Sequence, residues 1–261
     1  LELNKETGEL ELKQSSFTRK TYDGTGNAVR VESIVWEVTE GNTLGESFAQ
    51  ETDTLKALDS SSQTERISYS VTYNQGFING NPLLSTTKNF VYDPDYATPV
   101  FSNVSESRYE YDALGNSIYK ETDVWGPSAG DLILFKDDIA DVSTFDSVGS
   151  NKNLVRISKE KEWNYKFMHK TPTEQVIQKY NYNLDTGKYA LSEMDTVKSW
   201  IGAGGYIKKQ LRYTFISGED TPLLKPEDLL QFNYYADGYD TVLLQRNTKE
   251  WTYNKDFNAD G

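Results

Sequence analysis

The last six residues, Asp256-Phe257-Asn258-Ala259-Asp260-Gly261, place side-chain oxygens at alternate positions and end in glycine. That is the first half of a calcium loop, in which oxygens at every second position converge on one cation and the glycine allows the turn. Asp256, Asn258 and Asp260 are therefore a candidate calcium site, and calcium is the one cofactor the chain suggests. The same residues also suit an ordinary hairpin turn. Glycoside hydrolysis needs only two carboxyl groups about 5 to 10 Å apart. With 40 acidic residues no pair stands out, and Asp137-Asp138, Asp141, Glu219-Asp220 and Glu227-Asp228 read more simply as solvated faces or helix starts. His169 is the single histidine and there is no cysteine. Thiolate metal sites, cysteine nucleophiles, disulfides and paired-histidine metal sites are excluded on composition alone. The His-Glu-x-x-His helix and the phosphate-binding loop are absent from the sequence. Enzymatic activity is not expected, with a carboxylate-based glycoside hydrolase as the alternative. Asn103-Val104-Ser105 is a candidate glycosylation sequon.

The rings offer a different chemistry. An apolar or aromatic residue, any residue, then Tyr recurs at 71, 90, 109, 163, 180, 211, 232 and 251, and three of the seven intervals are 19 residues. Rings two apart share one face of an extended segment, and the residue between them is mostly polar, as in Thr72, Glu110, Asn164 and Asn181. Trp163, Tyr165, Tyr180, Tyr182, Phe232, Tyr234, Trp251 and Tyr253 thus form an aromatic ladder. Buried, such a ladder is the core of a sheet. Exposed, it is a platform on which the CH face of a sugar ring stacks, and these eight residues are then the ligand-binding candidates.

The elements that would carry this ladder are strands joined by tight turns. Asn or Asp follows many of the tyrosines and glycine comes soon after, as in Tyr73-Asn74…Gly76 and Tyr182-Asn183…Gly187. Those residues supply the side-chain-to-backbone bonds and positive φ that hairpins need. The expectation is an all-β chain of repeated antiparallel hairpins in an extended or curled sheet, each returning about every nineteenth residue and stacked ring-side inward. Short helical insertions are expected near 46–60, 126–160 and 216–231, where apolar residues recur at helical spacing or proline precedes acids. Residues 1–261 read as one repeat region. The start at Leu1 and the abrupt ending suggest a processed form or part of a longer chain.

One segment, YEYDALGNSIYKETDVW at 109–125, resembles the tyrosine–aspartate (YD) repeats of Rhs-type and teneurin-type surface proteins, whose hallmark is Tyr-x-Tyr-Asp-x-x-Gly followed by a strand. YNYNLDTGKYAL at 180–191 resembles the same unit with Asn in place of Asp and a longer turn, and 232–253 resembles it more loosely. The resemblance implies spiralling β-sheets that build shells or extended surface structures.

Net charge bounds the partners. At −13, the chain repels phosphate backbones, so nucleic acid is not an expected partner. No apolar run approaches the ~18 residues of a membrane span. The acidic, Thr-, Ser- and Asn-rich composition suggests an extracellular or cell-surface location. The expected function is a non-enzymatic structural protein, a stalk, sheath, filament or adhesin segment, that self-associates through its terminal hairpins. The alternative is a carbohydrate-binding module using exposed rings, with polysaccharide as partner.

Overall fold

The structure is a computed structural model and describes residues 2–3, 10–11, 14–38, 64–93, 95, 99–128, 154–202, 204–217 and 244–253. It is all-β in these residues. A short hairpin, β1 (Glu2–Leu3) with β2 (Leu10–Glu11), stands as its own two-stranded sheet. The other eleven strands are β3 (Gln14–Tyr22), β4 (Ala28–Val38), β5 (Thr64–Ile78), β6 (Asn81–Val91), β7 (Val100–Tyr111), β8 (Ser117–Pro127), β9 (Leu154–Met168), β10 (Thr171–Asn183), β11 (Lys188–Ile201), β12 (Ile207–Ser217) and β13 (Leu244–Tyr253). They form one sheet in sequence order, an antiparallel meander with β3 and β13 at its edges. Sequential pairing of this kind needs only short connections between neighbours.

The turns follow the local chemistry. Ile78-Asn79-Gly80-Asn81 makes a two-residue connection with φ of 52° and 80° at its centre, the mirror-image turn that matches strand twist. His169 and Lys170 fill the same role between β9 and β10 at 50° and 64°, so His169 is an exposed turn residue. The GAGG run at 202–205 lies in the β11–β12 turn, closed by the Gly205 amide donating to the Gly202 carbonyl at 3.0 Å.

The copied unit is larger than the 19-residue hairpin expected from ring spacing. Tyr22-Asp23…Gly26-Asn27 and Tyr111-Asp112…Gly115-Asn116 lie 89 residues apart and fold alike. In each, the Asp amide donates to the Asn carbonyl at 3.0 Å, and the Asp carboxylate accepts the amides two and four residues on and the Asn side chain. Gly202 and Tyr206, 90 residues further, keep the backbone bond at 2.8 Å. The β3–β4 register shifts between Thr21 and Tyr22, and β11–β12 shifts between the equivalent Trp200 and Ile201. The β4–β5 shift between Val35 and Trp36 recurs in β12–β13 between Thr214 and Phe215. Bulges are placed features, so their recurrence marks a true repeat.

Each copy is therefore four strands over about 90 residues: β3–β6, β7–β10, and a third beginning at β11 and described as far as β13. The interval of 19 is one strand with its connection, so VTY, FVY and YEY at 71, 90 and 109 fall on the successive strands β5, β6 and β7. Tyr92 and Tyr182 are equivalent, but Tyr111 holds a different place, at the strand end before the Asp-centred turn. The helices expected at 46–60, 130–145 and 221–231 lie outside the described residues, and each segment falls between the second and third strands of a copy. Strand β9 begins at Leu154, inside the 126–160 range read as an insertion.

The described residues of 1–75, 85–105 and 125–155 form one compact unit, and those of 76–84, 106–124 and 156–261 form a second. The first is built around buried Tyr69, Val71, Phe90, Phe101, Val104 and Trp125. The second is built around Val176, Tyr180, Leu191, Met194, Leu211, Tyr213 and Phe215. Equivalent positions fill both: Phe90 and Tyr180, Phe101 and Leu191, Val104 and Met194, Trp125 and Phe215. All eight are apolar or aromatic, so the positions keep their core character while side-chain size changes from copy to copy.

Candidate functional site

Alternation along β8 puts Tyr119, Glu121 and Asp123 on one face, and along β9 it does the same for Lys159, Lys161, Trp163 and Tyr165. Their charges meet in the second unit. Lys159 Nζ lies 2.7 Å from Glu121 Oε1 and 3.2 Å from Asp123 Oδ1, and Lys161 Nζ lies 3.6 Å from Glu121 Oε2. The Tyr119 hydroxyl donates to Glu121 Oε2 at 2.6 Å, and that of Tyr189, from β11, donates to Asp123 Oδ1 at 3.0 Å. Arg108 pairs with Glu106 at 2.6 Å and reaches within 3.9 Å of Asp123.

Burial pushes the Glu121 carboxyl up, but hydrogen bonds from Lys159 and Tyr119 and the charges of Lys159 and Lys161 outweigh it and hold the group below its usual range. Burial, then the hydrogen bond and charge of Glu121, pushes the Tyr119 phenol well above its ordinary value. Burial, then the charge of Asp123 and its hydrogen bond, does the same to Tyr189. Burial first and the Glu121 charge second raise Tyr180 to about 12. At neutral pH Glu121 is thus ionised and these phenols keep their protons. Such a cluster fixes strands through ion pairs. With its carboxyl held low, Glu121 is not the raised-pKa carboxylic acid that glycosidic cleavage uses.

Beside this network lies a cavity of about 570 Å³ lined by Glu110, Ile118, Tyr119, Lys161, Trp163, Asn164 and Tyr165. Tyr119 and Trp163 meet in its wall, centroids 5.4 Å apart and planes tilted by 44°. Buried Asn164 anchors it: its amide donates to the Ser117 carbonyl at 3.0 Å, and Gln175 donates to its oxygen at 2.8 Å. The earlier copy repeats this clamp, Asn74 donating to the Ala28 carbonyl at 2.8 Å and Ser85 donating to Asn74 at 2.7 Å. The lining combines rings with an ammonium and a carboxylate, which suits a ligand with one flat apolar face and polar edges.

In the third copy the positions of Glu110, Tyr119 and Lys161 are held by Trp200, Lys209 and Trp251. There the site becomes an open clamp. The indoles of Trp200 and Trp251 stack with centroids 5.8 Å apart and planes 28° apart, and they are 38% and 40% exposed. Lys209 Nζ lies over both, 3.9 Å from the Trp251 centroid and 4.9 Å from that of Trp200, and Lys198 Nζ lies 5.7 Å from Trp200.

Of the eight ring candidates, Trp163 and Tyr165 share the cavity and Trp251 forms the clamp. Tyr180 is buried in the core, and half-buried Tyr182 packs edge-on against Tyr189 at 5.1 Å. Tyr253 ends β13. Phe232, Tyr234 and the calcium candidates Asp256, Asn258 and Asp260 lie outside the described residues, as do Asp137, Asp138, Asp141, Glu219, Asp220, Glu227 and Asp228. Asn103 sits within β7, half-buried, accepting from Asn89 at 2.8 Å and donating to Ser102 at 3.2 Å. Among the described residues no group of three or more His, Asp or Glu is placed to hold a metal, and no helix is long and apolar enough to cross a membrane. Sequence reading missed Trp200 and Lys209, which lack the aromatic-x-Tyr pattern. Comparing copies at an offset of 90 would have set them against Glu110 and Tyr119.

No protein-family model matches the chain, and no curated protein sequence matches it. Among solved structures, a protein of unknown function from Bacteroides fragilis NCTC 9343 is similar at a TM-score of 0.36 and 10% sequence identity, over 70% of this chain and 91% of that one.

Proposed function

We propose that the chain is a non-enzymatic repeat protein of the cell surface or extracellular space, a stalk, sheath, filament or adhesin segment. The observation that carries this reading is the four-strand unit copied in tandem, with its turns, bulges and apolar core positions kept. Arrays of this kind are stabilised by contacts between neighbouring units, and they supply long, regular surfaces. The Asp-centred turns at Asp23 and Asp112 support the resemblance to YD repeats. The paired ions of Glu121, Asp123 and Lys159 support a rigid rather than a catalytic role. Strands β3 and β13 end the sheet, and strand edges are where copies of a chain add to one another. Negative-stain electron microscopy of the purified protein tests this. Regular fibres or sheets are expected, and a monodisperse monomer at high concentration would count against self-assembly.

A second reading, glycan capture, is favoured by a specific feature: the ring-walled cavity at Tyr119, Trp163 and Tyr165, with its reworked copy at Trp200 and Trp251.

A further inference from the structure

We propose that the cavity at Tyr119, Trp163 and Tyr165 binds the protonated amino sugar of a cationic polysaccharide, with Glu110 holding the ammonium; this rests on the glycan-capture reading and deepens it. One row of the sheet differs among the three copies. In the first, Arg30 on β4 opposes Tyr73 on β5, and its guanidinium lies 5.9 Å from the centre of that ring. In the third, Lys209 on β12 takes the same place, and its ammonium lies over the indoles of Trp200 and Trp251. Both copies thus cover ring faces with a cation of their own. The second copy has Tyr119 at this position, 89 residues from Arg30 and 90 from Lys209, and Trp163 as the counterpart of Tyr73. No cation among the described residues lies over the ring of Tyr119 or Trp163.

Where that cation is missing, a carboxylate is added. Thr21 opposes Arg30, Trp200 opposes Lys209, and Glu110 holds the equivalent position in the second copy. Glu110 makes no hydrogen bond or ion pair among the described residues. The other charges around the cavity are matched. Lys161 Nζ is 3.6 Å from Glu121, Lys159 bridges Glu121 and Asp123, and Arg108 pairs with Glu106. Glu174, opposite Tyr165 on β10, pairs with Lys166 at 2.8 Å and has Lys198 across from it on β11. An incoming ammonium therefore meets one open carboxylate beside ring faces, and both favour a cation. At longer range the net charge of −13 attracts a polycation. The rest of the lining selects the sugar. The Trp163 indole N–H and the Tyr165 hydroxyl make no hydrogen bond among the described residues, so both can donate to sugar hydroxyls. A lysine side chain brings an ammonium but no acceptors for these donors, and an N-acetylated sugar brings hydroxyls but no ammonium. An amino sugar brings both.

Isothermal titration of the full chain tests the proposal with chitosan oligomers in mildly acidic buffer, where their amines are protonated, against N-acetylated chitin oligomers and a lysine oligomer of matched length. Far-UV circular dichroism checks that each variant folds. Chitosan oligomers should bind, and the other two weakly or not at all. Glu110→Gln should weaken that binding about tenfold, the loss of one charge-assisted contact. Tyr119→Arg should abolish it, because it installs the residue of the first copy, where Arg30 pairs with Glu32 at 2.8 Å as the new guanidinium would with the equivalent Glu121. Lys161→Met, which removes the lining cation, should strengthen binding. Glu65→Gln removes an exposed acid in the other unit with the same change in net charge as Glu110→Gln and Tyr119→Arg, and it should leave binding unchanged. Equal binding of the N-acetylated oligomers, unaffected by Glu110→Gln, would overturn the ammonium assignment and leave glycan capture standing. Equal binding of the lysine oligomer, or equal weakening by Glu65→Gln, would overturn the sugar and reduce the effect to charge attraction. Failure of both sugars to bind would overturn the subsite and the glycan reading together.

Discussion

Asp112 accepts three hydrogen bonds inside its own turn, from the amides of Leu114 and Asn116 and from the Asn116 side chain at 2.7 to 2.9 Å. Bonds from the Asn116 side chain and then its amide hold the carboxyl below its usual range. In the matching turn, bonds from Asn27 and Thr25 bring Asp23 down to about 2. The Asp therefore works as the hub of a strand reversal, which gives the Tyr-Asp-x-x-Gly-Asn pattern a mechanical meaning. Asp112→Ala should lower the melting temperature in thermal denaturation. Asp112→Asn, which keeps an acceptor oxygen, should lower it less. Equal losses would mean that the charge and not the acceptor geometry matters. The first-copy counterpart of Lys159 is Tyr69, whose hydroxyl donates to Glu32 at 2.9 Å where Lys159 reaches Glu121. One strand position thus keeps a donor to the equivalent glutamate of its own copy while the residue type changes.

Trp36 and Trp125 occupy one position in two copies of β4 and β8, and both are buried. Phe215 holds that position in the third copy. Truncating a buried aromatic typically costs about 3–5 kcal/mol. Trp36→Ala and Trp125→Ala should each show a loss of that size in urea denaturation, whereas truncating exposed Leu114 should cost far less. The strands and turns were legible in the sequence because they rest on local signals: ring alternation, Asn79-Gly80, and glycine after Asp or Asn. The repeat length was not. Ring spacing records when the chain re-enters the sheet and is silent on which strands are copies of one another. The copy signal lay elsewhere, in Arg66-Ile67-Ser68 against Arg156-Ile157-Ser158 and in Pro82 against Pro172, each 90 residues apart. The clamp was illegible for a related reason. It joins Trp200 to Trp251 across an intervening strand, and nothing local to either tryptophan predicts the other.

Across the molecule, ionisable groups set the pH range of stability. Carboxyls whose folded pKa is lowered, Asp23, Asp112, Glu32 and Glu121, contribute stability fully present above their unfolded values near 4 and lost as pH falls through the folded ones, about 2 for Asp23. Phenols whose folded pKa is raised contribute stability present below about 10 and lost as pH rises through the folded values. Burial and then the hydrogen bond and charge of Glu32 take Tyr69 to about 12, and Tyr180 also titrates near there. Stability should therefore fall off below pH 4 and again between pH 10 and 12, with a set of tyrosines ionising near 12 in ultraviolet titration. A flat profile across either window would contradict the packing of these groups.

The central claim is that one four-strand unit is copied about every 90 residues, so cross-strand neighbours in one copy predict those in the next. Thr18 opposes Ser33, their hydroxyl oxygens 3.4 Å apart; 89 residues on, Ser107 and Thr122 share a hydrogen bond of 2.8 Å. The chain has no cysteine of its own, so paired cysteines report these contacts without background. Thr18→Cys with Ser33→Cys, and Ser107→Cys with Thr122→Cys, should each close a disulfide under mild oxidation, read by thiol titration and mass spectrometry. The off-register pair Ser107→Cys with Lys120→Cys should stay reduced. Free thiols in either equivalent pair, or cross-linking as efficient in the off-register pair, would contradict the account.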